Sequence, residues 1–242
     1  VEEALVIDSQ LKWILNLFNA NGVIYWLNSG TLLGLMREGK LLDYDQDIDL
    51  GLWADDEAAL QELLPQFKKA GYNVFSAAYK GLTFQYVFSL RGVPGSRTVD
   101  IHLFRRYGEY AWSPDYYFKI QPGRARGRRK KEIYRFLRGT LRYFWRRFIA
   151  RVPLTVSVSS WPWHCFVNPV TWWIPAAYFD ELEFREDLEA YIPADWQGYL
   201  EWRYGDWRVP RRNWVFHRDD GGLKPGSPEQ VRGLMDSLEK QD

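Results

Sequence analysis

The chain has 242 residues, with 46% apolar and 26% charged side chains and a net charge of +1. These values suit a globular protein with one large core and exclude disordered and fibrous classes. A single cysteine, Cys165, excludes an internal disulfide framework and a Cys-based zinc finger, and no apolar run reaches the roughly 18 residues of a membrane-spanning helix.

In chain order, Leu11, Ile14, Leu15 and Phe18 follow the spacing of a helix with one buried face, ended by Asn21-Gly22. The acidic start, Val1-Glu2-Glu3, has no signal-peptide pattern. Val23 to Leu27 reads as a short strand. Asn28-Ser29-Gly30 is a turn into one or two helical turns over residues 31–37. Leu41 to Trp53 alternates like an extended strand. Asp55 or Asp56 can cap the next helix, which carries Leu60, Leu63, Leu64 and Phe67, with Pro65 expected to kink or shorten it. Leu82 to Leu90 and Arg97 to Phe104 are strands joined by a Gly/Pro turn. Helical patches follow over Ala177 to Ala190 and Ala194 to Tyr204. A last helix is signalled by Ser227, Pro228 and the capping box closed by Gln230. The first 105 residues read helix, strand, helix, strand, helix and then three strands, so the expected fold is an α/β (α+β) core with a small mixed sheet flanked by helices. The expected units are a core over 1–105, a basic aromatic insertion over 106–171, and a helical, aromatic-rich region over 172–242 that packs on the core.

Charge is unevenly spread. Residues 124–151 hold twelve Lys/Arg and one acid, Glu132, a local charge of +11 that leaves −10 for the rest. A uniformly basic nucleic-acid binder does not look like this, and nucleic-acid binding by the interleaved arginines and aromatics of this segment is the least favoured reading of it. Ile133, Phe136, Leu137, Leu141, Phe144 and Phe148 form a helical stripe with arginines mostly off it. That is the pattern of an interfacial membrane helix, and equally of a helix lying on the protein's own acidic body.

The chemistry concentrates in Asp43-Tyr44-Asp45-Gln46-Asp47-Ile48-Asp49. On a strand, Asp45, Asp47 and Asp49 would share one face while Ile48 and Leu50 enter the core. Three like charges on one face have no folding rationale unless a cation neutralises them, and carboxylates suit Mg²⁺ or Mn²⁺. A solvated acidic edge or a structural Ca²⁺ loop are the alternatives, although the Gly and distal Glu of an EF-hand are missing. Asp100, on a strand with apolar Val99, Ile101 and Leu103, is either a further ligand, a base, or an acid hydrogen-bonded in a loop. His102 shares its face. Ser29 to Gly34 is a strand-to-helix turn of small residues whose amides can hold phosphate oxygens.

Gly30-Thr31-Leu32-Leu33-Gly34-Leu35-Met36-Arg37, then Asp45-Gln46-Asp47-Ile48-Asp49, then Val99-Asp100-Ile101 closely resemble the LicD/fukutin family of phosphotransferases. Ile174-Pro175, Leu182-Glu183-Phe184, Ile192-Pro193 and Tyr204-Gly205-Asp206-Trp207 resemble its second region. The resemblance implies a nucleotidyltransferase-like fold and metal-dependent transfer of a phosphorylated alcohol, such as phosphocholine or ribitol phosphate. The donor would be CDP-activated, the acceptor a hydroxyl of a glycan or lipid-linked glycan, and CMP the leaving product. It implies that Asp47, Asp49 and Asp100 are catalytic and, with Asp45, hold Mg²⁺ or Mn²⁺. Gly30, Thr31 and Arg37 would bind the donor's phosphates. One cysteine cannot build the zinc site of eukaryotic fukutin-type members, so a bacterial-type enzyme is expected. Its expected location is cytoplasmic, peripheral on the inner membrane face if the basic segment binds lipid. Competing readings are a nucleotidylyltransferase that moves NMP from an NTP to a small molecule, and a non-catalytic membrane-associated scaffold.

Overall fold

A computed structural model describes residues 8–79, 82–90, 92–120, 165–211 and 213–225. The basic segment 124–151 and the C-terminal helix expected from Ser227 lie outside the described residues. The elements are α1 (Ser9–Ala20), β1 (Trp26–Leu27), α2 (Ser29–Glu38), β2 (Asp47–Trp53), a 3-10 turn (Ala54–Asp56), α3 (Glu57–Lys69), β3 (Tyr72–Tyr79), β4 (Leu82–Leu90), β5 (Thr98–Tyr107) and β6 (Tyr110–Ile120). They continue with β7 (Cys165–Pro175), α4 (Ala177–Asp180), β8 (Leu182–Arg185), β9 (Ala190–Pro193), α5 (Trp196–Tyr204), α6 (Phe216–Asp219) and β10 (Leu223–Pro225).

One mixed sheet organises the fold. Its strands run β1-β2-β5-β6-β7-β10, with β4 also pairing β5 and β3 pairing β4. Among the described residues of this sheet only β2 and β5 are parallel, in a register that sets Asp47 opposite Thr98 and Asp49 opposite Asp100. A parallel pair needs a long crossover, here α3 and the β3–β4 hairpin. The sheet continues past residue 105. The last three residues of β5 pair with β6, and β6 pairs with β7 along its whole length.

The two faces of β2 and β5 differ by residue type. Ile48, Leu50, Leu52, Val99, Ile101 and Leu103 are fully buried. This side meets α1 and α3, whose Phe18 and Phe67 are in ring contact while Phe67 lies 4.1 Å from Phe88. The expected faces of these helices are found: Leu11, Ile14, Leu15 and Phe18 on α1, and Leu60, Leu63 and Phe67 on α3. Asp8 caps α1 by accepting from the backbone N–H groups of Gln10 and Leu11. On the opposite face stand Asp49, Gly51, Asp100, His102 and Phe104. There Trp26 lies across Gly51, whose added Cβ would meet its indole at 2.3 Å, and stacks on Phe179 at 4.3 Å. Burying such aromatic surface contributes roughly 2–3 kcal/mol per side chain, and accounts for much of the aromatic content.

Three expectations need correction. The strand expected from Leu41 begins only at Asp47, so Asp45 lies in the preceding loop. The alternation runs on through that loop, but its backbone is held from outside the strand ladder. Helix α3 continues through Pro65 to Lys69 without being shortened. The helix expected over Ala177 to Ala190 is a single helical turn followed by the β8–β9 hairpin. Its turn is closed by Leu188 and Glu189 N–H bonds to the carbonyls of Arg185 and Glu186, with Glu189 at φ +52°.

Candidate active site

The carboxylates are positioned by backbone pairing first. The β2–β5 register places Asp49 beside Asp100. The start of α2 is then stapled onto β2: the Asp49 N–H donates to Thr31 Oγ1 at 2.8 Å, and the Asn28 N–H donates to the Asp49 carbonyl at 3.1 Å. Gly30 is therefore pressed against the acids. A Cβ there would sit 2.2 Å from Asp45 Oδ2 and 3.8 Å from Asp49 Oδ2, so only glycine admits this approach.

Residues ahead of β5 hold the acidic loop. Arg97 Nη1 donates to the carbonyls of Leu42 and Asp45. Gln10 on α1 brackets Arg97, donating to its carbonyl at 2.8 Å and accepting from its N–H at 3.0 Å. Thr98 Oγ1 donates to the Asp47 carboxylate. These contacts carry Asp45 back beside the strand pair although it is not part of the strand.

The electrostatics mark the cluster. Burial, followed by the charges of Asp45, Asp47 and Asp100, pushes the Asp49 carboxyl well above the usual carboxylate range, against the opposing pull of Arg203. Burial and the neighbouring Asp47 also raise Asp45. Asp100 is itself buried. Among the described residues no three acids, histidines or cysteines close into a ready-made metal cage. The donor set nevertheless fits a hard divalent cation, which takes one or two protein carboxylates and completes its shell with water and ligand phosphates. Mutual repulsion and burial oppose ionisation here, and a bound cation reverses both.

Gly30, Thr31, Asp45, Asp47, Asp49 and Asp100 are thus brought to one place. Arg37 is not beside them. It lies two turns along α2, about 10 Å of helix from Gly30. Its guanidinium donates to the Trp207 carbonyl at 3.3 Å, to Glu38 at 2.8 Å and to the Tyr44 hydroxyl at 3.3 Å. His102 is buried opposite Gly51, its ring edge-on to Trp172 at 6.2 Å.

A group missed from the sequence backs the site. Arg203 and Asp220 form a buried ion pair, Nη2 to Oδ2 at 2.6 Å, with side-chain exposures of 2% and 0%. The Arg203 guanidinium also stacks over Trp172 at 4.2 Å and donates through Nη1 to Ser29 Oγ at 2.7 Å and to the Tyr199 hydroxyl at 2.9 Å. The available signal was positional. Tyr199, Leu200, Arg203 and Tyr204 form the buried face of α5, and a cation at such a spacing needs a partner.

A mixed sheet with carboxylates on a parallel strand pair, and a helix N-terminus fastened over them, defines a nucleotidyltransferase-type domain. Residues 22–124 match the model of the LicD/FKTN/FKRP nucleotidyltransferase domain. An uncharacterised protein of Rickettsia prowazekii is 39% identical over 79 residues, 32% of this chain and 30% of that protein. The ribitol-5-phosphate transferase FKTN of Macaca fascicularis is 22% identical over 228 residues, 92% of this chain and 38% of that protein. The ribitol 5-phosphate transferase FKRP of Homo sapiens is 36% identical over 52 residues, 22% of this chain and 10% of that protein. The chain therefore spans well under half the length of these relatives. Among solved structures, ANT(2'')-Ia in complex with adenylyl-2''-tobramycin is similar at a TM-score of 0.32 and 16% identity, over 43% of this chain and 55% of that one. That likeness is too distant to carry residue roles.

Proposed function

We propose that the protein is a phosphotransferase that moves a phosphorylated alcohol from a CDP-activated donor to a hydroxyl of a glycan, with ribitol phosphate the first candidate for the transferred group. The observation that carries this reading is Asp49 facing Asp100 beneath the Gly30–Thr31 turn, within a domain whose relatives are named ribitol-5-phosphate transferases. The acceptor oxygen attacks the phosphorus that bears the alcohol, the bond to the CMP oxygen breaks, and CMP leaves.

In this reading Asp47, Asp49 and Asp100 hold Mg²⁺ or Mn²⁺, with Asp45 as a further ligand or a neighbour that fixes one. The ion, when bound, supplies charge neutralisation at the phosphates and in-line alignment. Asp100, buried beside Asp49, would take the acceptor's proton. The Gly30 and Thr31 amides face the donor phosphates, because the start of a helix favours negative charge. Arg37, whose guanidinium donates to the Tyr44 hydroxyl beside Asp45, would meet the donor's diphosphate from the far end of α2. Among the described residues no helix is long and apolar enough to cross a membrane. Contact with a lipid-linked acceptor is assigned to the cationic residues 124–151, which would place the enzyme peripherally on the inner face of the membrane.

The test is product analysis. Incubation with CDP-ribitol, CDP-choline or CDP-glycerol, Mg²⁺ and a glycan acceptor is expected to release CMP with one donor and not with Asp49→Asn. Pyrophosphate release from CTP or ATP, with NMP joined to the product, would replace the reading by a nucleotidylyltransferase. Metal-independent vesicle binding with no nucleotide turnover would replace it by a scaffold.

A further inference from the structure

Asn28 is the N-cap of α2, and asparagine is among the residues best suited to cap a helix, yet its side chain makes no cap hydrogen bond. Its Oδ1 is otherwise engaged. The Tyr199 hydroxyl donates to it, and Arg203 Nη1 reaches it at 3.4 Å. The Ser29 hydroxyl, the other nearby capping oxygen, accepts from the same Nη1 at 2.7 Å. Ser29 itself sits at φ +48°, a left-handed backbone that a residue with a side chain rarely adopts and that the surroundings must impose.

The anchor for this diversion is rigid. Asp220 accepts from both Nε and Nη2 of Arg203, Trp172 covers the guanidinium plane, and Asp220 Oδ1 is further held by the Gly222 N–H at 2.9 Å. The planar fork of arginine is what allows one side chain to serve Asp220 on one edge and Ser29, Asn28 and Tyr199 on the other.

We infer that Arg203, with Tyr199, is a positioning unit that holds both capping oxygens away from the start of α2, leaving the Gly30 and Thr31 amides open to a phosphate of the donor. The inference rests on the phosphotransferase reading, since it gives that reading's phosphate turn its vacancy and orientation. Arg203 needs no contact with the donor, and its influence passes through Asn28 and Ser29.

Two variants test it. Arg203→Lys keeps a charge for Asp220 but cannot span to Ser29 and Asn28. Tyr199→Phe keeps the ring and frees Asn28 Oδ1 to cap the helix. The probes are CDP with Mg²⁺, measured by calorimetry, and Mn²⁺ alone, measured by electron paramagnetic resonance. Both variants are expected to bind CDP at least about tenfold more weakly while Mn²⁺ affinity stays within about twofold, because the carboxylates keep their strand register. Tyr199→Phe loses the buried hydroxyl that serves Arg203 and Asn28, so some fall in its melting temperature is expected, and the diagnostic readout is weakened CDP binding with Mn²⁺ affinity retained, which general loss of packing would not give. CDP affinity unchanged in a folded Tyr199→Phe, or CDP and Mn²⁺ binding lost together in both variants, overturns the positioning role. A wild-type protein that binds neither probe, indistinguishable from Asp49→Asn, overturns the phosphotransferase reading and this inference with it.

Discussion

Two buried charged groups lie on the same face of the sheet, and the fold treats them in opposite ways. Arg203 and Asp220 are matched atom for atom: two edges of the guanidinium are hydrogen-bonded, its plane is stacked, and the carboxylate takes a further N–H. Asp45, Asp47, Asp49 and Asp100 are like charges, and burial followed by their proximity raises the proton affinity of Asp49 against the pull of Arg203. A buried pair that is satisfied by its own protein has little left to offer a ligand. A cluster of like-charged carboxylates is stable only as far as the rest of the fold supports it, and it gains most when a cation arrives.

The comparison breaks most visibly at Asp220. Asp220→Ala leaves the Arg203 guanidinium buried without its counter-ion and is expected to cost about 3–5 kcal/mol, read from denaturant unfolding. Next comes Gly51→Ala, which drives a methyl into the buried Trp26 indole; the expected loss is about 1–3 kcal/mol, with no direct effect on the acids. Asp49→Asn has the opposite sign. Ionised Asp49 is disfavoured by burial and by three neighbouring carboxylates, so neutralising it without divalent ions should raise the melting temperature. A fall in its melting temperature would mean that the acids are already compensated. Smallest is Lys40→Ala. Its pair with Asp43 is exposed, and removal should change unfolding stability by less than about 1 kcal/mol.

Much of the fold was legible because local periodicity and long-range packing agree. The stripes of α1 and α3 and the apolar alternation of Ile48, Leu50 and Leu52 are each buried as spaced. The acid run singled out the strand pair where Asp49 comes to lie beside Asp100, since like charges at strand spacing have no local rationale. Legibility failed where the decisive partner is distant in sequence. Asp45 continues the alternation, but Arg97, fifty-two residues on, holds its carbonyl in a loop. The β8–β9 hairpin has strands of four residues, too short for period two to outweigh a helical reading of 177–190. Arg203 was unreadable because its meaning lies in Ser29, 174 residues away, and in Asp220 beyond a loop.

On the reading proposed above, the clustered carboxylates take up a divalent ion and a nucleotide-linked donor. Thermal melting with Mg²⁺ and CDP-ribitol, set against Mg²⁺ and CTP, with Asp49→Asn as control, tests it most directly. At a donor concentration about one hundred times its dissociation constant, binding stabilises by about 2.7 kcal/mol, several degrees for a chain of this size. The account predicts that shift for a CDP-alcohol in the wild type, its dependence on Mg²⁺, and its loss in Asp49→Asn. An equal shift without Mg²⁺, or one that survives in Asp49→Asn, would contradict it.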